Sequence, residues 1–215
     1  MSNKMDIFCP KIKICGLTNF NQALTCAELG ADWLGFNCWH GSSRYVNPDK
    51  IIEIINFLPK SVTTVGVFVN EPTDSVEKIM HLTGMDLVQF HGDETFDDIK
   101  KIKTPWFKAF RFKPEFKTDQ IKFFGKETFL LDAYSKNYYG GSGKILDWDQ
   151  ASKLSSLGKL ILAGGLNPGN ISEAVKKVKP WGVDVCSGVE IEPGIKDMRK
   201  VATFVKNVHK VVKIK

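Results

Sequence analysis

The feature that most constrains this chain is an alternation of two periods. Short β-rich runs recur along its 215 residues: KIKIC (11–15), DWLGFN (32–37), TTVGVFV (63–69), DLVQF (86–90), WFKAF (106–110), TFLLD (128–132), KLILA (159–163) and GVDVC (182–186). After each comes a stretch with apolar residues at helical spacing, from NFNQALTCAELG to DMRKVATFVKNVHKVV. The weakest of these is KPEFKTDQIKFFG. Strands that alternate with helices build βα units around a parallel sheet. Eight such units predict an α/β protein with a single (β/α)8 barrel over residues 1–215, near the short end of that fold's range.

An open doubly wound sheet is the alternative, and a nucleotide fingerprint would favour it. AGGLNPG fails as a dinucleotide turn, because Leu166 stands where the second glycine of GxGxxG should be. YGGSGKI fails as a phosphate-binding P-loop: Tyr138 takes the place of its first glycine, and Ile145 that of the hydroxyl that holds magnesium.

Composition narrows the function classes. The chain is 43% hydrophobic and 25% charged, enough apolar material for a real core. Its net charge is +6, but the lysines are scattered rather than gathered with aromatics on one face, so nucleic acid is not an expected partner. A positive field suits an anionic small molecule. The amino-terminal residues lack the apolar stretch of a signal peptide, and no run approaches the roughly 20 residues that span a bilayer, so no membrane partner is expected. Five cysteines, odd in number and without CxxC spacing, indicate neither a disulfide framework nor a zinc site and fit a reducing cytoplasmic setting. His40, His81, His91 and His209 are too scattered to suggest a metal.

Barrel enzymes carry their chemistry at the carboxyl ends of the strands. Those positions hold Cys15, Asn37, Asn70, His91, Arg111 and Asp132, followed by AGGL and CSGVE. Cys15 follows strand 1 and Asp132 follows strand 6, three steps apart around a ring of eight, so they should face each other across the mouth. A thiol opposite a carboxyl suits moving a proton on and off a small substrate. A nearby cation or helix N-terminus would favour the thiolate. An inert buried cysteine and a loop-capping aspartate are the structural alternative. Gly164–Gly165 and Ser187–Gly188 lie in the turns after strands 7 and 8, where barrels commonly hold a phosphate on backbone amides. Glycine lets the backbone approach that closely. Arg44, in GSSRYV, could clamp a carboxylate or phosphate.

The motifs KICGLT, GFNCWHGSSRYV, GVFVN, VQFHGDE, LLDA, GGSG followed by DW, LAGGLNPGNI and GVDVCSGVEIEPGIKD run in the order seen in the phosphoribosylanthranilate isomerases of tryptophan biosynthesis. The resemblance covers roughly residues 10 to 205. It implies an Amadori rearrangement of N-(5′-phosphoribosyl)anthranilate to the 1-deoxyribulose 5-phosphate ketoamine. By resemblance Asp132 is the acid that opens the ribose ring and Cys15 the base that removes the C2 proton. Arg44 would contact the anthranilate part, His91 and Asp184 would line the site, and the two glycine turns would hold the phosphate. No metal or organic cofactor is implied, and a monomer or homodimer is expected. Ser43 and Cys186 depart from the usual proline and serine. A silent phosphate-binding barrel would be free to lose Cys15 and Asp132. A bifunctional isomerase would carry an aspartate in place of Cys15 and a second glycine pair after strand 3, where FVNEPTD has none.

Overall fold

Side chains that point alternately inward and outward along each strand decide what fills the centre of this molecule and what covers it. The computed structural model describes residues 9–112, 116–125, 127–133 and 146–212. Eight parallel strands close into a barrel in chain order: β1 (Lys11–Cys15), β2 (Trp33–Asn37), β3 (Thr63–Phe68), β4 (Leu87–Phe90), β5 (Trp106–Phe112), β6 (Thr128–Ala133), β7 (Lys159–Leu162) and β8 (Gly182–Val185). The register between β8 and β1, with Lys13 opposite Asp184 and Ile14 opposite Val185, closes the ring.

The inward positions Val65, Phe107, Ala109, Leu130, Ile161 and Ala163 form a compact interior cluster. Trp33 plugs its amino-terminal end, against Phe107 at 5.8 Å and Trp181 at 5.5 Å between ring centres. The barrel is therefore a packed core rather than a pore, and only its carboxyl-terminal mouth is left for chemistry. Outward residues such as Ile12, Ile14, Phe129 and Leu131 pack with the helices in a second, larger cluster.

Helices follow the strands as expected: α1 (Phe20–Glu28), α2 (Pro48–Ile55), α3 (Thr73–Thr83), α4 (Phe96–Ile99), α5 (Asp119–Phe123), α6 (Trp148–Leu154), α7 (Ile171–Val178) and α8 (Met198–Val212). Two are shorter than their sequence pattern suggests. In ETFDDIKKIK only one turn forms. Thr95 and Asp98 make a capping box, but Pro105 lies just ahead and holds Thr104 away from helical backbone. The weakly patterned segment before β6 gives only α5, which no side chain caps. The GGSG motif lies outside the described residues.

One element was absent from the sequence reading. After β8 the chain makes a single 3-10 turn, Ser187–Val189, then an antiparallel ribbon of β9 (Glu190–Glu192) and β10 (Ile195–Lys196). Pro193–Gly194 turns it, with Gly194 at φ +86° as a proline–glycine turn requires. Among the described residues no helix is long and apolar enough to cross a membrane.

Candidate active site

The period of two along the strands delivers polar groups to the mouth one layer above the interior cluster. Lys13 and Cys15 leave β1 on its inward side. Asp132 stands two residues beyond Leu130, His91 two beyond Gln89, and Asp184 opposite Lys13. A cavity of about 290 Å³ opens there, lined among others by Cys15, Arg44, His91, Asp132, Asp184 and Cys186. Gly164, Gly165, Ser187 and Gly188 line it too. All the site residues anticipated from sequence thus meet in one pocket. Of the other strand-end residues, Asn37 joins them, whereas Arg111 pairs with Asp93 in a separate groove and Asn70 accepts a hydrogen bond from the Asp93 amide.

Lys13 is the group the sequence reading missed. It is 1% exposed, and an unpaired charge at that depth would be penalised by several kcal/mol. Its Nζ donates to Asp184 Oδ1 at 3.0 Å. Gly35 on β2 makes the room: a Cβ there would sit 2.8 Å from Cys15 Sγ and 3.0 Å from Lys13 Nζ. One ammonium therefore serves two acids. The neighbouring Cys186 thiol holds the Cys15 thiol well below its usual range by hydrogen bonding; burial opposes this and the Lys13 charge reinforces it. Burial raises Asp184 to about 7, against the pull of Lys13 and with the help of the Cys15 charge. Burial alone would lower Lys13, but Asp184 and Cys15 outweigh it and keep the ammonium charged. Lys13 can neutralise only one acid fully, and Cys15 holds the advantage.

Asp132 sits in a different setting. Its Oδ1 accepts the Ala133 amide at 2.8 Å, and its Oδ2 lies 3.2 Å from His91 Nε2. On the far side of the imidazole, Gln89 Nε2 lies 2.7 Å from Nδ1. With that amide donating, Nδ1 accepts and the Nε2 proton points at Asp132. Gly164, at φ +82°, passes so close that a Cβ would meet Asp132 Oδ1 at 3.0 Å and the Ala133 nitrogen at 2.5 Å. The turn after β7 needs glycine there for both conformation and space.

Arg44 is held from below. Its Nε and Nη2 donate to the Glu190 carboxylate at 2.7 to 3.2 Å, and Lys196 Nζ reaches the same carboxylate at 2.7 Å. Burial pushes Glu190 up, but Arg44 and Lys196 win and hold it low. The β9–β10 ribbon exists, in effect, to bring Glu190 and Lys196 under Arg44. The two glycine turns touch as well: a Cβ on Gly188 would lie 1.9 Å from the Leu166 carbonyl oxygen. Among the described residues, no group of three His, Cys, Asp or Glu side chains could hold a metal ion.

The closed barrel and the thiol, imidazole and carboxyl groups at its mouth define a (β/α)8-barrel enzyme. Residues 12–207 match the family model of N-(5′-phosphoribosyl)anthranilate (PRA) isomerase. The chain is 45% identical over 198 residues to the N-(5′-phosphoribosyl)anthranilate isomerase of Trichlorobacter lovleyi, covering 92% of this chain and 97% of that one. It is 44% identical to that of Geobacter sulfurreducens, covering 91% and 97%. Among solved structures, the phosphoribosyl anthranilate isomerase of Thermotoga maritima superposes with a TM-score of 0.86 at 36% identity, covering 94% of this chain and 99% of that one. The chain belongs to the N-(5′-phosphoribosyl)anthranilate isomerase family.

Proposed function

We propose that this chain converts N-(5′-phosphoribosyl)anthranilate to 1-(2-carboxyphenylamino)-1-deoxyribulose 5-phosphate, a step of tryptophan biosynthesis, with Asp132 as acid and Cys15 as base. The observation that carries the reading is that a thiol held low and a buried carboxyl line one small cavity beside two glycine turns. Asp132 gives a proton to the ribose ring oxygen as the C1–O bond breaks, and nitrogen lone-pair donation leaves a Schiff base. The Cys15 thiolate then takes the C2 proton, the C2–H electrons form the enolamine, and tautomerisation yields the ketone. Lys13 stays charged throughout and balances the thiolate. Arg44, fixed by Glu190, lies in the pocket to meet the anthranilate carboxylate. His91 orients Asp132, and Asp184 shares the Lys13 charge.

The phosphate would rest on amides of Gly164, Gly165, Ser187 and Gly188. A solved isomerase of this family, 34% identical to this chain with a TM-score of 0.82, is described as a complex with reduced 1-(o-carboxyphenylamino)-1-deoxyribulose 5-phosphate. That supports a pocket of this shape for such a ligand. Neither cofactor nor nucleic acid has a part in the scheme. The five free thiols accord with a cytoplasmic setting. A monomer or homodimer is proposed, and sedimentation would decide between them. The test is to add purified protein to freshly made phosphoribosylanthranilate and follow the loss of its fluorescence. Turnover that disappears in Cys15→Ser and Asp132→Asn supports the reading; unchanged fluorescence with the native protein would overturn it.

A further inference from the structure

Two of the five cysteines share the pocket. The β1–β8 register runs Lys13 opposite Asp184 and Ile14 opposite Val185, and the next residue on each strand is Cys15 and Cys186. Neighbouring strands lie about 4.8 Å apart, inside the span a disulfide bridges between Cα atoms. Lys13 and Asp184 meet inside the barrel, so side chains two residues on leave from the same side. Both cysteines line the cavity. Lys196 Nζ lies 3.7 Å from Cys186 Sγ, and Lys13 stands beside Cys15, so two ammonium groups flank the pair. The remaining thiols offer no rival within the fold. Burial pushes Cys26 and Cys38 up to about 12, and Cys9 lies exposed outside the barrel.

We propose that Cys15 and Cys186 form a reversible disulfide when the protein meets hydrogen peroxide, and that this bond switches the pocket off. The Cys15 thiolate attacks a peroxide oxygen, the O–O bond breaks, and hydroxide leaves and is protonated to water. The sulfenic acid left on Cys15 is then attacked by the Cys186 sulfur as its proton departs. The S–S bond forms, the S–OH bond breaks, and a second water leaves. Two thiols are oxidised and one peroxide is reduced. The product has no thiolate to take a proton, and Cys186 spares Cys15 the irreversible sulfinic stage.

Loss of activity rests on the reading of Cys15 as the base; formation of the bond does not. The full chain carrying Cys9→Ser, with and without Cys186→Ser, is treated with graded hydrogen peroxide and then with dithiothreitol. Peptide masses and activity relative to each untreated protein are read at both stages. If Cys186→Ser does not fold, Cys186→Ala takes its place. The parent should yield a cross-linked peptide pair two hydrogens lighter and recover most activity with dithiothreitol. The Cys186 variant should accumulate sulfinic acid at Cys15 and recover little. Absence of the cross-link, or equal recovery in both proteins, overturns the inference and leaves the isomerase reading intact. A complete cross-link with full activity overturns the switch and the assignment of Cys15 as base together.

Discussion

The two sides of the barrel mouth hold their reactive groups by different physics. On the β1–β8 side, Cys15 is held low by the Cys186 hydrogen bond and by charge: the Lys13–Asp184 pair and the Arg44–Glu190–Lys196 cluster lie beside it. Across the mouth, Asp132 is set by a relay of Gln89, His91 and its own backbone, and among the described residues no buried lysine or arginine pairs with it. A base that must be an anion before substrate arrives needs fixed cations. A carboxyl that is to deliver a proton, the part proposed for Asp132, needs direction toward the atom that receives it. An ion-flanked thiol on one side and a hydrogen-bonded carboxyl on the other suit the acid–base pair proposed for the reaction.

The comparison breaks first if either reactive group is dispensable. Cys15→Ser replaces a thiol of free pKa about 8.5 with an alcohol that keeps its proton at neutral pH. Asp132→Asn keeps the size and loses the acidic proton. Each should lower kcat by roughly 10² to 10⁴, the usual worth of one general acid or base. Near-normal turnover in either, measured with saturating substrate, would remove that residue from its role.

The second pair of variants tests the charged side alone. Lys13→Met removes the cation shared by Cys15 and Asp184. The thiol pKa rises, so the acidic limb of the kcat/KM profile should move to higher pH by about one unit or more. Asp184, with a pKa already near 7, then stays protonated through neutral pH. Asp184→Asn does the opposite. Lys13 is left to Cys15, the limb moves to lower pH, and the more stable thiolate is a weaker base, so the plateau rate falls several-fold. Shifts of the same sign in both variants would contradict the sharing of one ammonium.

Gly165 serves both sides and gives a milder change. It sits at φ +66° in the turn after β7, and Gly165→Val should raise KM about tenfold while kcat changes little. Equal losses in both would mean that the turn does more than bind. The smallest effect belongs to the uncharged side. Gln89→Leu frees the tautomer of His91 and removes one neutral hydrogen bond, worth about 1 kcal/mol or roughly fivefold in kcat. It should leave the acidic limb where it was, because the proposed scheme assigns that limb to Cys15.

Much of this was legible before the fold was known. The eight strands fell within one or two residues of their runs, because parallel strands buried on both faces read as short apolar segments. The position of Cys15, Asp132 and the glycine turns at the mouth followed from the strand ends, since those are the places a filled barrel leaves for chemistry. Lys13 was within reach: a lysine two residues before Cys15 on the same strand must point to the same side. Gly35, Gln89 and Glu190 were not. Their importance lies in what they touch across the barrel, and Glu190 depends on a ribbon hidden in what read as a loop. The proline and glycine at 193 and 194 were its one local signal.

The most direct test is the pH dependence of Cys15 alkylation by iodoacetamide, followed by peptide mapping to separate Cys15 from Cys186. Cys15, held low by the Cys186 hydrogen bond and the Lys13 charge, should react with a midpoint well below the free-thiol value of about 8.5. Lys13→Met should move that midpoint upward, and Gln89→Leu should leave it in place. A native midpoint at or above the free-thiol value, or one indifferent to Lys13, would contradict the account.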